Sequence, residues 1–525
     1  MKTSLNFIAL LSLTASAGAV DRFVSPTGKD TNPGTLSAPW KTIQKAANTA
    51  KAGDTVYIRS GNYNEKVQIN VNGTAAARIV FRNYQSEAPV LDLSGVTPGH
   101  DLSAIIRIPS RSHVTIQGLT LKNLRTSSES QVPCGILVDG ACAGIQLLGN
   151  KISYIEQNNT VKSNWDANAH GIAVYGTSGT AITGLVIDGN ELSNLRLGAS
   201  EALAINGNVD GFKVINNKVH HCNNIGIDAI GFEGTCSNKA LDRARNGIIS
   251  GNVVWNIDSA TNPAYSGSFT SGGGYRAAAG IYVDGGTQIV IERNDVRACN
   301  FGVELASEHA AGRTDFITVR NNLLRHNHGA GIIMGGYDEQ RGTTENCTVL
   351  NNTLYQNDTL TNWGGQIQFQ FYVKNNTFRN NILWASSKTK QMIVHYPGSD
   401  SATNAQKEFG SGNVFSHNLY FCAGASSSGV SFEIFTGGKF RSYNGVTAWQ
   451  SSGKVSGDAG SAFANPKFAT ASPTSTSASS AFKLLSGSPA INSGSTSVVP
   501  TVSEMDVFAE SRLKGGRVDR GADEF

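Results

Sequence analysis

Six stretches of the chain, 171–176, 202–207, 226–231, 280–285, 302–307 and 331–336, follow the pattern Gly-aliphatic-x-aliphatic-x-Gly or a looser copy of it, and three of them carry acids at the variable positions. These acids are Asp228, Asp284 and Glu304, with Tyr282 beside them. In a strand alternate side chains face opposite sides, so Ile227, Ala229, Ile281, Val283, Val303 and Leu305 are expected to point inward and the acids and Tyr282 outward. If the copies stack as one parallel sheet, strands about 4.8 Å apart and alternate residues about 6.6 Å apart put Asp284 about 8 Å from both Asp228 and Glu304. A carboxyl pair roughly 6.5 to 9.5 Å apart is the arrangement of an inverting glycosidase, and about 5 Å that of a retaining one. Outward acids are often merely solvated. Three in register, however, cost electrostatic energy unless a cation or shared proton relieves them, which points to a site.

Two insertions flank these strands. Residues 232–246 carry Glu233, Lys239, Arg243 and Arg245, and residues 258–279 carry a glycine-rich tip with Tyr275 and Arg276. Glu308 and His309 follow Glu304, Tyr337 and Asp338 come one repeat later, and His170 and Glu201 precede. Mixed acids, arginines and aromatics suit sugar recognition, because rings stack on aromatic faces and guanidinium groups pair with carboxylated sugars. Arg276, Tyr275, Arg245, Glu308, His309 and Tyr337 are therefore the expected substrate contacts.

The element that positions these residues shows in a second repeat. An aliphatic residue is followed three positions later by asparagine at Asn150, Asn190, Asn217, Asn252, Asn294, Asn322, Asn352 and Asn376. Each asparagine follows a β-branched or aliphatic run and precedes another, which reads as strand, bend, strand. Stacked coils let each amide hydrogen-bond its neighbours above and below, satisfying polar groups at an inward bend. A single coil cannot bury its own apolar face, so the expected architecture is all-β, a parallel β-helix, with a helix near 42–50 capping the first coil.

Only 16% of the 525 residues are charged and 58 are glycine, while a net charge of +4 is too mild and dispersed for nucleic acid. Lys2, the apolar run 7–13 and Ala17-Gly18-Ala19 read as a secretory leader over 1–19, and no later stretch is apolar enough to span a bilayer. A secreted monomer with a polysaccharide partner, and without nucleic-acid or membrane partners, is expected. Seven cysteines, at 134, 142, 222, 236, 299, 347 and 422, match no zinc spacing and read as structural disulfides, Cys222/Cys236 and Cys134/Cys142 being nearest in sequence. The β-helix is expected over 20–422, and Ser/Gly-rich loops, an exposed linker and a closing segment over 423–525.

The entry segment 23–65, the asparagine repeat, and the closing motifs Asn465-Pro466-Lys467-Phe468, Ser488-Pro489-Ala490-Ile491 and Asp519-Arg520-Gly521-Ala522-Asp523 resemble those of secreted right-handed parallel β-helix proteins of the pectin-lyase-like superfamily, particularly family 9 polysaccharide lyases. The resemblance implies β-elimination on uronate polymers, with calcium held by aspartates and a lysine as base. Asp228 and Glu201 match metal-ligand positions, but Asn224 and Ile225 fall where paired aspartates are expected, and Tyr282 and Glu304 where the lysine is sought. Tyr282 could serve as base if Arg276 lowered its pKa. A lyase, a glycoside hydrolase using the carboxyl pair, and a noncatalytic glycan-binding adhesin remain open on sequence.

Overall fold

The computed structural model describes residues 18–361 and 363–525. Most of the expected leader lies outside the described residues. The chain winds into a solenoid whose walls are three stacks of thirteen strands, parallel throughout except for the last strand of one stack. The wall that carries the acids contains β1 (His170–Gly176), β2 (Leu203–Gly207), β3 (Ile227–Ile230), β4 (Ala279–Asp284), β5 (Phe301–Ala306), β6 (Ile332–Met334), β7 (Ile367–Phe369) and β8 (Gln391–His395), hydrogen-bonded in that order. Ile227, Ala229, Ile281, Val283, Val303 and Leu305 are fully buried in one continuous core.

The asparagine ladder works as its chemistry requires. Asn150 donates its backbone N–H and its side-chain amide to Asn190 Oδ1, at 2.9 and 3.0 Å, and donates the second amide hydrogen to the Ile116 carbonyl at 2.9 Å. The same pattern repeats through Asn217, Asn252, Asn294 and Asn322 to Asn352, so buried amides meet their partners at each step. The residue before each rung is left-handed, with φ between 55° and 66° at Gly149, Gly189, Asn216, Gly251, Arg293, Asn321 and Asn351. Glycine and asparagine adopt that region most easily, which explains the recurrent Gly-Asn and Asn-Asn pairs. The eighth expected rung needs correction: Asn352 bonds Asn381, whereas Asn376 belongs to a second ladder leading to Asn413. One coil holds both asparagines, because strand Thr377–Arg379 separates two successive bends.

Helix α1 (Ile43–Thr49) starts at Thr42, whose hydroxyl accepts the Lys45 N–H, and it lays Ile43, Ala46 and Ala47 into the core. The far end combines loops, with most of 470–480 exposed or half-exposed, and short elements packed on the solenoid. Ser431–Phe435 adds a parallel strand to β8, Phe440–Asn444 then pairs antiparallel, and buried Trp449 stacks on Phe432 at 4.9 Å. Farther on, Phe468, Phe482 and Leu484 pack against Leu323, Tyr355 and Trp384 on the outside of another wall, and buried Arg325 holds the carbonyls of Thr474, Ser475 and Ser477. Low sequence complexity there reflects tight turns against a surface. The disulfide expectation is also corrected: all seven cysteines are free and buried. Several, such as Cys142, Cys222, Cys299 and Cys347, serve as small apolar side chains of the core.

Candidate active site

The register across the acid-bearing wall fixes the site. Ala204 of β2 lies opposite Asp228 of β3, Asp228 opposite Tyr282 of β4, Tyr282 opposite Glu304 of β5, Glu304 opposite Ile333 of β6, and Ile333 opposite Gln368 of β7. Asp228, Tyr282 and Glu304 thus form one outward column, and Asp284, two residues beyond Tyr282, lies on the same face opposite Ala306. The column floors a cleft of about 640 Å³. Among the described residues six carboxyl groups line it (Glu201, Asp228, Glu233, Asp284, Glu304 and Glu308), with Arg276 as the one guanidinium and no lysine. Trp165, Tyr265, Phe301 and Tyr337 supply aromatic wall.

Burial and crowding favour the protonated forms of Glu201, Asp228, Asp284, Glu304 and Glu308. Burial first, and Glu308 second, push Glu304 up to about 8. Glu201 is likewise raised to about 8, by burial and then by Glu233. Asp228, 2% exposed and with Oδ1 lacking a partner, is raised well above the usual carboxylate range by burial and then by Glu201 and Asp284. Asp284 is also raised, by burial and then Glu308, but its Oδ1 accepts the Glu308 backbone N–H at 2.7 Å, which favours its ionised form. Of the three acids in the expected trio it is the one with a backbone donor. Six such groups cannot all ionise together.

Two insertions build the walls. Asn262 fixes the longer one by donating to the carbonyls of Gly198 and Asn223, which seats Tyr265 over the cleft, where Trp165 meets it edge-on at 5.1 Å. The shorter insertion delivers Glu233, which accepts from the Asn206 amide at 2.6 Å. On the far side Arg341 lies over the Tyr337 ring at 4.7 Å and donates to the Glu308 carbonyl, bracing that edge.

Against known proteins, a model described as "Right handed beta helix region" matches residues 104–354 and 279–459, more than half of the chain, and a "Pel9A-like, right handed beta helix region" matches residues 22–148. A Bacillus subtilis (strain 168) protein, "Uncharacterized protein YwoF", is 36% identical over 398 residues, 76% of this chain and 79% of that one. The chain belongs to the right-handed β-helix family. This β-helix protein is also 41% identical to "Pectate lyase PEL9" of Emericella nidulans over 104 residues, 19% of this chain and 25% of that relative's length. Among solved structures, a GH136 lacto-N-biosidase from Eubacterium ramulus aligns over 77% of this chain and 64% of its own, with 14% identity and a TM-score of 0.46.

The β-helix brings together Asp228, Tyr282, Asp284, Glu304, Glu201, Arg276, Glu308 and Tyr337 in one cleft. Arg245 is not there: it pairs with Asp210 at 3.1 Å and donates to Asn208 at 2.9 Å, at the corner leading to the next wall. The position follows from bridges to Asp210 and Thr287, which bind its backbone into that corner. Tyr275 is also outside the lining, 74% exposed at the loop surface. The lowered phenol pKa that a Tyr282 base would need is not found. Burial raises its phenol well above the ordinary tyrosine range, and Asp284, Glu308, Glu304 and Asp228 raise it further, while Arg276 is paired with Asp258 at 3.3 Å. His170 is buried, pushed down to about 4, and hydrogen-bonded to the Glu201 carbonyl and the Tyr175 hydroxyl.

Calcium takes six to eight oxygen ligands. At the positions where paired aspartates were sought, Asn224 donates its amide nitrogen to the carbonyls of Gly198 and Ser200 while its buried Oδ1 has no hydrogen-bond partner, and Ile225 offers no ligand oxygen. Asp228, Glu201 and Asn224 thus offer part of the oxygen set a calcium ion takes, with Ile225 adding nothing. A different trio, Glu233, Asp284 and His309, places one ligand atom each within 4.8 Å of one another. Glu233, Trp165 and Tyr265 were missed or undervalued as cleft residues. Their placement depends on insertion geometry, and only the clustering of Trp165 and Tyr265 in polar, repeat-free segments could have marked them.

Proposed function

We propose that the cleft hydrolyses glycosidic bonds of a carbohydrate polymer. The observation that carries this reading is the register of acids from three adjacent strands on one wall, with Glu304 protonated near neutral pH and no lysine among the lining residues. Glu304 acts as general acid, delivering its proton to the leaving oxygen. Asp284, whose charge the Glu308 N–H favours, takes a proton from the attacking water. One strand and two residues separate them, about 8 Å, the spacing of inversion. The leader-like 1–19 segment supports action outside the cell.

A second reading, β-elimination on uronate chains, draws support from the stretch similar to a pectate lyase and from the Glu233, Asp284 and His309 donors, which would hold a cation. It ranks lower because elimination needs a base and the wall supplies neither a lysine nor a low-pKa phenol. Incubation with a panel of neutral and uronate polysaccharides separates the readings. Hydrolysis gives new reducing ends without unsaturated, ultraviolet-absorbing products and survives chelation. Elimination gives those products and is abolished by chelator, whereas binding without cleavage denotes an adhesin.

A further inference from the structure

We propose that the groove continues beyond the acids into a second carbohydrate subsite, built on Trp363 and Tyr396, that holds an uncharged sugar ring of the same polymer. The inference rests on the carbohydrate reading above and adds the substrate class. A cavity of about 520 Å³ adjoins the acid cleft and shares Arg276, Phe301 and Gln370 with it, so one ligand can run through both. The floor is continuous as well: Gln368 occupies the same outward column as Glu304, two strands on, or about 10 Å.

Trp363 and Tyr396 are 47% and 41% exposed, a large apolar surface to leave in water unless something covers it. They meet edge to face, with ring centroids 5.6 Å apart at 85°, and Phe440 backs Trp363 at 6.0 Å. The pair forms a corner that a pyranose can enter with one face against an aromatic ring. Asn300, Gln368 and Gln370 border it, and amides offer donors and acceptors matched to hydroxyl groups.

Charge selects the class. Among the described residues the lining contains no carboxylate, and both groups able to carry positive charge already face Asp258: Arg276 at 3.3 Å and His328 at 3.6 Å. Burial lowers His328 against the opposing pull of Asp258 and so favours the neutral ring. A uronate carboxylate placed here would find no unpaired cation among the described lining residues, whereas a neutral hexose or pentose loses nothing. Recognition at this distance from the acids also requires a chain of several sugars.

The test uses Glu304→Gln, which leaves ligands uncut, titrated with cellohexaose, xylohexaose, mannohexaose and hexagalacturonate by calorimetry and tryptophan fluorescence. The expected result is binding of at least one neutral hexamer, weakened about tenfold when Trp363→Ala or Tyr396→Ala is added. Unchanged melting of the added variants shows that the fold is intact. The proposal is overturned if no neutral hexamer binds, if hexagalacturonate alone binds, or if the added substitutions leave affinity unchanged. Cleavage by the wild type that ignores Trp363→Ala sinks the subsite and spares the hydrolase. Neutral binding that depends on Trp363, with no cleavage by the wild type, does the reverse.

Discussion

Replacing Glu304 with glutamine removes a proton donor and also a titrating group whose burial works against the fold. In the folded protein this carboxyl holds its proton up to about pH 8, against 4.5 for the free side chain. A carboxyl with a raised folded pKa weakens folding as pH rises, because the unfolded chain ionises first. Its unfavourable contribution is absent below 4.5, grows by about 1.4 kcal/mol per pH step, and levels off above 8. Solvent screening in the open cleft reduces the sum to on the order of 2 kcal/mol. Glu304→Gln should therefore melt with the wild type at pH 4.5 and about 1–4 °C higher at pH 8.5. Activity should fall about 10²–10⁴-fold, since glutamine cannot deliver a proton. Parallel melting and rate profiles from pH 4.5 to 9 check both halves. A variant with full activity, or one whose melting tracks the wild type at every pH, would refute the reasoning.

Tyr282→Phe should keep activity within about threefold, because the phenol is held protonated and only a 3.4 Å contact to Glu308 is lost; a loss beyond a hundredfold in steady-state rate would restore its role as base. Asn252→Leu removes four ladder hydrogen bonds and strands the Asn217 N–H and the Val214 carbonyl, so chemical denaturation should show at least about 3 kcal/mol of destabilisation. The seven buried thiols should resist a thiol reagent in the native protein and titrate fully after denaturation without reductant; fewer than seven would reveal a disulfide.

Much of the site wall was legible because parallel stacking converts a repeated pattern directly into register. Asp228, Tyr282 and Glu304 share a column since each occupies the same place between two inward aliphatic residues. The asparagine ladder was legible for the same reason until two asparagines fell on one coil, where Asn381 rather than Asn376 takes the rung. The insertions followed no such rule. Arg245 looked like a cleft residue by proximity in sequence, yet its backbone is bridged into the corner, while Trp165 reaches the cleft across a contact with Tyr265, a hundred residues later. Cysteines misled because burial among aliphatic side chains leaves the same compositional trace as a disulfide framework. The Ser/Thr-rich stretch near 470–480 lies as loops on the outside of the solenoid, where Arg325 holds the carbonyls of Thr474 and Ser475.

The most direct test of the central claim, that acids aligned on one wall cut glycosidic bonds, is product analysis of the wild type and Asp284→Asn on the polysaccharide panel. The account predicts reducing ends from a neutral polymer, with inverted anomeric configuration by nuclear magnetic resonance, and their loss in the variant. Unsaturated uronate products, or undiminished cleavage by Asp284→Asn, would contradict it.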